Sequence, residues 1–150
     1  MQDKMARILR ESISEVFETM FFLCPAPLGP AGESGAREPP GKELIAQIET
    51  QEGGDCRVLL ILPETLLRRI SDNLLGPCER GRSRDELMDT AREVTNMVGG
   101  SVLSRLGTPH RRSLSIPRIL SNVEVPAQGA VSYRAEVEGE VFSAYLWADA

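Results

Sequence analysis

Three residues with different chemistry are spaced to lie in line within the segment DELMDTAREVTNMVGG, residues 85–100. Glu93 and Asn96 are three residues apart and Gly100 follows four residues later, so on a helix all three fall on one face. A carboxylate offers negative charge there, an amide offers a hydrogen-bond donor and an acceptor, and a glycine leaves the backbone bare. The combination suits a surface that another molecule approaches closely.

Each of these residues also has a plainer explanation. Glu93 fits a solvated charge, as most exposed acids on helices are. Asn96 is a middling helix former in a mid-helix position. Each glycine of the Gly99–Gly100 pair costs roughly 1 kcal/mol relative to alanine inside a helix. The pair is therefore open to two interpretations: a bend or the close packing of a neighbouring strand at Gly99, or a side-chain-free patch beside Asn96.

The segment that holds these residues is predicted to be one long helix over residues 85–107. At about 100° per residue its apolar residues fall in a single arc, which is the buried face of an amphipathic helix. This arc contains Leu87, Ala91, Val94, Val98, Val102 and Leu106. The opposite arc contains Glu86, Asp89, Glu93, Asn96 and Gly100. Ser83 and Glu86 have the spacing of a capping box, which predicts where the helix begins, and Gly107 predicts where it ends.

Two further helical patterns precede the long helix. Apolar residues recur at three-and-four spacing over residues 5–21, which predicts a first amphipathic helix. The stretch of residues 24–41 is rich in proline and glycine and predicts an irregular linker or surface loop. A short helix is predicted to open at Pro63 and to close at Gly76–Pro77, with an apolar stripe that ends in Leu74 and Leu75.

The remaining segments are predicted to be β-structure. KELIAQIET alternates apolar and polar residues, and CRVLLIL is an apolar run suited to a strand covered on both faces; together they predict a hairpin. Because proline cannot donate a backbone hydrogen bond, Pro117 indicates that SLSIPRIL is an edge strand or a bent strand. VSYRAEV and EVFSAYLW are predicted to form a hairpin around Glu138–Gly139. The fold class is α+β, with helices, one of them long and central, packed on a mostly antiparallel sheet in a single domain of residues 1–150.

Composition and charge limit the class of protein. A chain of 150 residues with 41% hydrophobic and 26% charged residues matches one globular domain. Its net charge of -5 argues against nucleic acid and anionic membranes as partners. Three scattered cysteines and a single histidine favour a reducing compartment and argue against a structural metal site. Since no apolar run is long enough to span a membrane, we expect a soluble cytoplasmic protein. We also expect it to have no metal or cofactor of its own.

The motif and its surroundings resemble the CheX proteins, which are relatives of CheC and of the flagellar switch protein FliY. The family pattern is a glutamate, two residues, an asparagine, three residues and a glycine on a long helix; here it is Glu93-Val-Thr-Asn96-Met-Val-Gly-Gly100. ESISEVFETMF is similar to the family's first helix, GDCRVLLILPETLLRRI to a strand followed by a helix, and LSIPRIL to an edge segment. The chain has one such motif, as CheX proteins do, whereas CheC proteins have two.

The resemblance implies a phosphatase that acts on the aspartyl-phosphate of a CheY-like response regulator. Phosphoryl transfer to water needs positioning and charge neutralisation more than covalent help, because its transition state is loose. By the family's pattern, Asn96 positions the attacking water and Glu93 pairs with the receiver's lysine. Gly100, together with Gly99, would let the receiver's backbone approach. Asp89 and Glu86 on the same face would steer the receiver electrostatically.

Further expectations and two rivals accompany the resemblance. The receiver partner is expected to supply Mg²⁺, and CheX-type proteins are homodimers joined through their sheets. Tyr145 and Trp147 on the last strand are candidates for a dimer interface or for the core. The first rival is a non-catalytic binding module of the flagellar-switch kind, which has no need of an exposed Glu93 and Asn96. The second is a ligand-binding enzyme with a deep apolar cavity away from the long helix.

Overall fold

Among the residues that the structure describes, three helices pack on one face of a six-stranded antiparallel sheet, which confirms the α+β prediction. The computed structural model describes residues 2–29, 42–50, 56–107, 113–122 and 129–148. The helices are α1 (Gln2–Met20), α2 (Glu64–Leu75) and α3 (Arg84–Leu106). The strands are β1 (Ala26–Pro27), β2 (Glu43–Glu49), β3 (Cys56–Pro63), β4 (Arg118–Leu120), β5 (Ala130–Val137) and β6 (Glu140–Ala148). Their order across the sheet is β1-β5-β6-β3-β2-β4.

One apolar core joins the helices to alternate residues of the strands. In β2 the alternation predicted for KELIAQIET is confirmed, because Leu44, Ala46 and Ile48 are all buried against the helices. The prediction that CRVLLIL is covered on both faces was wrong in part. Leu59 is fully buried on the second face, but Ile61 is only half-buried, since in the described part of the chain no helix covers that face.

Turn chemistry explains the strand connections. In the final hairpin Glu138 and Gly139 both have positive φ, at 49° and 87°, which is the left-handed two-residue turn that suits twisted antiparallel strands. The short β4 pairs with β2 at the edge of the sheet directly after Pro117, as predicted. The short strand β1 was not predicted: it pairs with β5 inside the stretch interpreted as irregular, of which residues 30–41 lie outside the described part.

Both ends of α3 form as the sequence predicts. The Ser83 hydroxyl accepts a hydrogen bond from the Glu86 amide and the Glu86 carboxylate accepts one from the Ser83 amide, so the capping box is present. Gly107 ends the helix in the left-handed conformation, with φ at 60°. The helix continues through Gly99 and Gly100 without a break. In the described residues, none of the helices has the length and apolar character that crossing a bilayer requires.

Two polar contacts fix α2 against α3. The Ser71 and Thr90 hydroxyls are hydrogen-bonded at 2.7 Å inside the interface between the helices. At the start of α2, the Glu64 carboxylate is almost fully buried and forms an ion pair with Arg84, the first residue of α3. Because each helix thereby contributes a partner to the other, α3 has a defined orientation above the sheet.

Candidate functional site

Glu93, Asn96 and Gly100 all lie exposed on the outer face of α3, as predicted. The side chains of Glu93 and Asn96 have no hydrogen bond and no ion pair with any residue that the structure describes. A carboxylate and an amide one helical turn apart are thus available to an external molecule. The amide can both donate and accept, and the carboxylate can attract a cation.

The backbone beneath this pair is held firmly. Val94 and Val98 are fully buried between the exposed positions and pack into the core. Thr95, also fully buried, donates its hydroxyl hydrogen to the Ala91 carbonyl at 2.7 Å and so satisfies its own polar atom within the helix. Glu93 and Asn96 therefore project from a rigid segment, which reduces the entropy lost when a partner binds.

The two other acids of this face already have partners. Both oxygens of the Glu86 carboxylate accept hydrogen bonds from the Arg80 guanidinium at 3.0 Å, and one of them also caps the helix. The bond from Arg80 is the main reason that the pKa of Glu86 falls to about 2. Asp89 accepts a hydrogen bond from Arg92 at 2.8 Å. Sequence reasoning missed Arg80, because its pairing with Glu86 depends on the path of the loop before α3.

The two glycines have opposite environments, which removes Gly99 from the predicted partner-binding residues. Gly99 is buried, and a Cβ atom built on it would lie 2.8 Å from the Ile48 Cγ2 atom and 3.4 Å from the Leu114 Cδ1 atom. Its lack of a side chain serves the packing of α3 on β2. A Cβ on Gly100 would meet nothing within 4 Å, and this residue stays at the surface beside Asn96.

A groove of about 370 Å³ runs along the N-terminal half of α3 and ends at Glu93. Its α2 wall contains Leu74 and Leu75, and Leu75 is 70% exposed although it belongs to the apolar stripe predicted for that helix. Leu75 is the last residue of α2, and at this end of the helix the apolar stripe is no longer buried. The α3 wall is acidic and contains Glu86, Asp89, Thr90 and Glu93.

A second groove, of about 390 Å³, lies between α1 and the C-terminal half of α3. Charged side chains line it, among them Arg10, Glu11, Glu15 and Arg105. Neither groove is the deep apolar cavity that an enzyme for apolar ligands needs. Within the described ranges, no three His, Cys, Asp or Glu side chains lie together in a way that could hold a metal ion.

Comparison with known proteins gives one family and one fold. The family model described as chemotaxis phosphatase CheX matches residues 44–137, which include α3. Among solved structures, a CheC-like superfamily protein from Shewanella sp. PV-4 is similar over 100% of both chains, with a TM-score of 0.73 and 17% identity. The chemotaxis protein CheX from Vibrio vulnificus has a TM-score of 0.69 and 20% identity over 99% of both chains.

One similar structure contains a partner. It is the CheX-CheY-BeF3-Mg+2 complex from Borrelia burgdorferi, matched with a TM-score of 0.63 and 12% identity over 96% of this chain and 97% of that one. At these identities the solved structures establish the fold alone. Comparison with curated proteins finds no match.

Proposed function

We propose, from the premise that the chain belongs to the CheX family of chemotaxis phosphatases, that it hydrolyses the aspartyl-phosphate of a CheY-like receiver domain. The observation that carries the proposal is the pair Glu93 and Asn96, exposed one turn apart on α3 and without a partner among the described residues. The complex of the Borrelia burgdorferi relative with CheY supports a receiver as the partner.

The reaction transfers a phosphoryl group to water. A water oxygen forms a bond to phosphorus while the bond from phosphorus to the receiver's aspartate oxygen breaks, which releases inorganic phosphate and restores the carboxylate. The Asn96 amide would accept a hydrogen bond from this water and direct its lone pair at phosphorus, without adding negative charge beside the phosphoryl group. The receiver is expected to supply Mg²⁺, so this protein needs no metal of its own for the reaction.

Glu93 is assigned to docking. Its carboxylate would pair with the lysine of the receiver's phosphorylation site and fix the register of the two proteins, since both charges leave water when the surfaces meet. Gly100 lies four residues after Asn96 on the same face, and its bare backbone leaves room for the receiver's surface. Asp89 lies one turn before Glu93 and keeps Arg92 as its partner, so its contribution is limited to long-range attraction.

The test is the rate of phosphate loss from a phosphorylated CheY-like receiver in the presence of Mg²⁺. We expect the wild-type protein to accelerate it, Asn96→Ala to lower kcat about 100-fold, and Glu93→Ala to raise KM about 10-fold or more. Asp89→Asn is the matched control, because it removes an exposed acid from the same face and is expected to change either constant less than about twofold.

Two results would contradict this assignment. If the wild-type protein accelerates phosphate loss from none of the receivers encoded near its gene, the enzymatic function is wrong. Capture of a receiver by a protein without this activity would then support the non-catalytic binding module. If Asn96→Ala retains full activity while the wild type is active, the role of Asn96 in positioning the water is wrong.

We also propose a homodimer joined through the sheet. Tyr145 and Trp147 alternate with buried core residues of β6, so their side chains lie half-exposed on the sheet face that faces away from the helices. This supports an interface role over a core role for them. Light scattering after gel filtration is expected to give twice the chain mass of 16.5 kDa. A mass equal to one chain at micromolar concentration would exclude the dimer.

A further inference from the structure

Phe22 is exposed in a conformation that its side chain does not favour. It follows the end of α1 with φ at 58° and is 76% exposed. The chain reverses here so that the Leu23 amide donates to the Phe17 carbonyl at 3.0 Å and the Leu23 side chain returns to the core. Left-handed residues after a helix are usually glycine, because any Cβ is strained there. The turn itself therefore gives no reason for a phenylalanine at this position.

The end of α1 lies level with Asn96 on α3. Glu15 accepts hydrogen bonds from Ser101 at 2.9 Å and from Arg105 at 3.1 Å, and the preceding turn of α1 also reaches Arg105, through Glu11. The two helices are therefore antiparallel and in contact. Met20 follows Glu15 by five residues, and Asn96 precedes Ser101 by five residues. Each step covers about 7.5 Å along its helix axis. These steps bring the last residue of α1 beside Asn96.

A second contact places Phe22 near the exposed end of α2. The Asn73 side-chain amide donates to the Phe21 carbonyl at 2.7 Å, so the chain at Phe22 lies against the last turn of α2. That turn also contains Leu75, which is 70% exposed and forms one wall of the groove that ends at Glu93. Two of the most exposed large apolar side chains in the described structure therefore lie beside the Glu93 and Asn96 face.

We propose that Phe22, together with Leu75, forms the apolar part of the receiver-docking surface around Glu93 and Asn96. The inference rests on the proposed function and specifies its partner surface. An interface of standard size covers about 800 Å² on each protein, a patch roughly 30 Å across. Packed helices have axes about 8–10 Å apart, so a patch centred on Asn96 includes Phe22.

The chemistry of the surface selects the occupant. Exposed aromatic side chains near the centre of an interface contribute much of its affinity, and charged groups around them set orientation. The free carboxylate of Glu93 requires a cation from the partner, while Phe22 and Leu75 require apolar contacts next to that cation. The fitting partner is a receiver domain whose phosphorylation-site lysine borders exposed apolar residues. A uniformly polar surface does not fit.

The experiment separates docking from both stability and catalysis. Phe22→Gly relieves the strained φ, so this variant is expected to unfold at a higher temperature than the wild type. It is also expected to raise KM for the phosphorylated receiver at least tenfold, with kcat changed less than twofold. Phe22→Tyr is expected to keep the wild-type KM. Leu28→Ala is the control: Leu28 is an exposed apolar residue beside β1, at the sheet edge farthest from β2 and β4, and its loss is expected to leave KM unchanged.

Binding to a receiver held in its active form by beryllium fluoride and Mg²⁺ distinguishes this inference from the proposed function. A wild-type protein that binds this receiver without hydrolysing the phosphorylated one contradicts catalysis alone. A tenfold weaker binding by Phe22→Gly then still supports the docking surface. A Phe22→Gly variant that is more stable and binds as tightly as the wild type overturns the inference. Failure of the wild type to bind any receiver also overturns it.

Discussion

Replacing Gly100 of α3 by alanine is expected to stabilise the protein, whereas replacing Gly99 by alanine is expected to leave its stability unchanged or to lower it by up to about 2 kcal/mol. Alanine is better than glycine inside a helix by about 1 kcal/mol, and this gain applies to both positions. At Gly100 nothing opposes it, since a Cβ there meets no atom within 4 Å. At Gly99 the new methyl group would lie 2.8 Å from the Ile48 Cγ2 atom.

Ile48 has little freedom to yield to that methyl group. Its Cγ2 is bonded directly to Cβ, so withdrawing it requires rotation of a stiff β-branched side chain. The residue is 1% exposed on β2, which is paired on both sides with β3 and β4. Overpacking of this kind costs about 1–3 kcal/mol. Because the helix gain cancels between the variants, Gly100→Ala is expected to exceed Gly99→Ala in free energy of unfolding by about the same 1–3 kcal/mol.

Urea unfolding followed by far-UV circular dichroism measures this difference, with the slopes required to agree among the three proteins. In thermal unfolding, each kcal/mol corresponds to about 2–4 °C in a chain of this size. If Gly99→Ala is as stable as Gly100→Ala, then Gly99 does not lie against β2 as described. Gly99 would then count again among the residues of α3 that face the partner. Phosphatase assays on Gly100→Ala give a second readout, because a slower reaction from a more stable protein supports close approach of the receiver at this position.

Three other predictions concern the capping box and the cysteines. Ser83→Ala is expected to lower the free energy of unfolding by about 1 kcal/mol, measured in urea, because the Glu86 amide loses its cap. The Glu86 pKa of about 2 lies below the value near 4.3 of an unfolded glutamate, so its stabilising effect is present above about pH 4.3 and is lost as the pH falls towards 2. The difference in melting temperature between the wild type and Glu86→Gln should shrink over that range; a constant difference would argue against the bond from Arg80. Burial raises the pKa of Cys56 to about 11, so at pH 8 a thiol reagent should modify exposed Cys24 quickly and Cys56 only on unfolding, as peptide mass analysis would reveal.

The helices and hairpins could be predicted because their signals are local. The capping box at Ser83 and the final hairpin turn at Glu138–Gly139 depend on a few neighbouring residues, and both formed as expected. β1 could not be predicted, since two residues carry no periodicity and their strand conformation comes from pairing with β5. The second face of β3 was misjudged for a similar reason: an apolar run indicates burial but does not say how many helices remain to cover it.

The sequence predicts which residues of the candidate site are exposed on α3, but it does not predict which neighbouring side chains pair with them. A helical wheel places Glu93 and Asn96 on the exposed arc, and that depends only on the buried stripe of α3. Whether an acid on that arc is free depends on loops, and the guanidinium of Arg80 reaches Glu86 only through the folded path between α2 and α3. Which glycine is buried depends on where β2 crosses beneath α3, and this crossing is a property of the assembled fold.

The strand order protects the apolar strand β3 against fibril-like association. β1 has two residues, one of them a proline without an amide hydrogen, and β4 has three. The run VLLIL has the composition that favours intermolecular cross-β pairing, yet it lies in β3 with β6 on one side and β2 on the other. At one border of the sheet, β4 is too short to offer a long row of open backbone groups to a second molecule. At the other border, β5 pairs with β1 only at Ala135 and Glu136, so residues 130–133 have no neighbouring strand on that side in the described part of the chain. Because β2 and β6 cover both edges of β3, variants that detach β2 from β3 are the ones expected to aggregate.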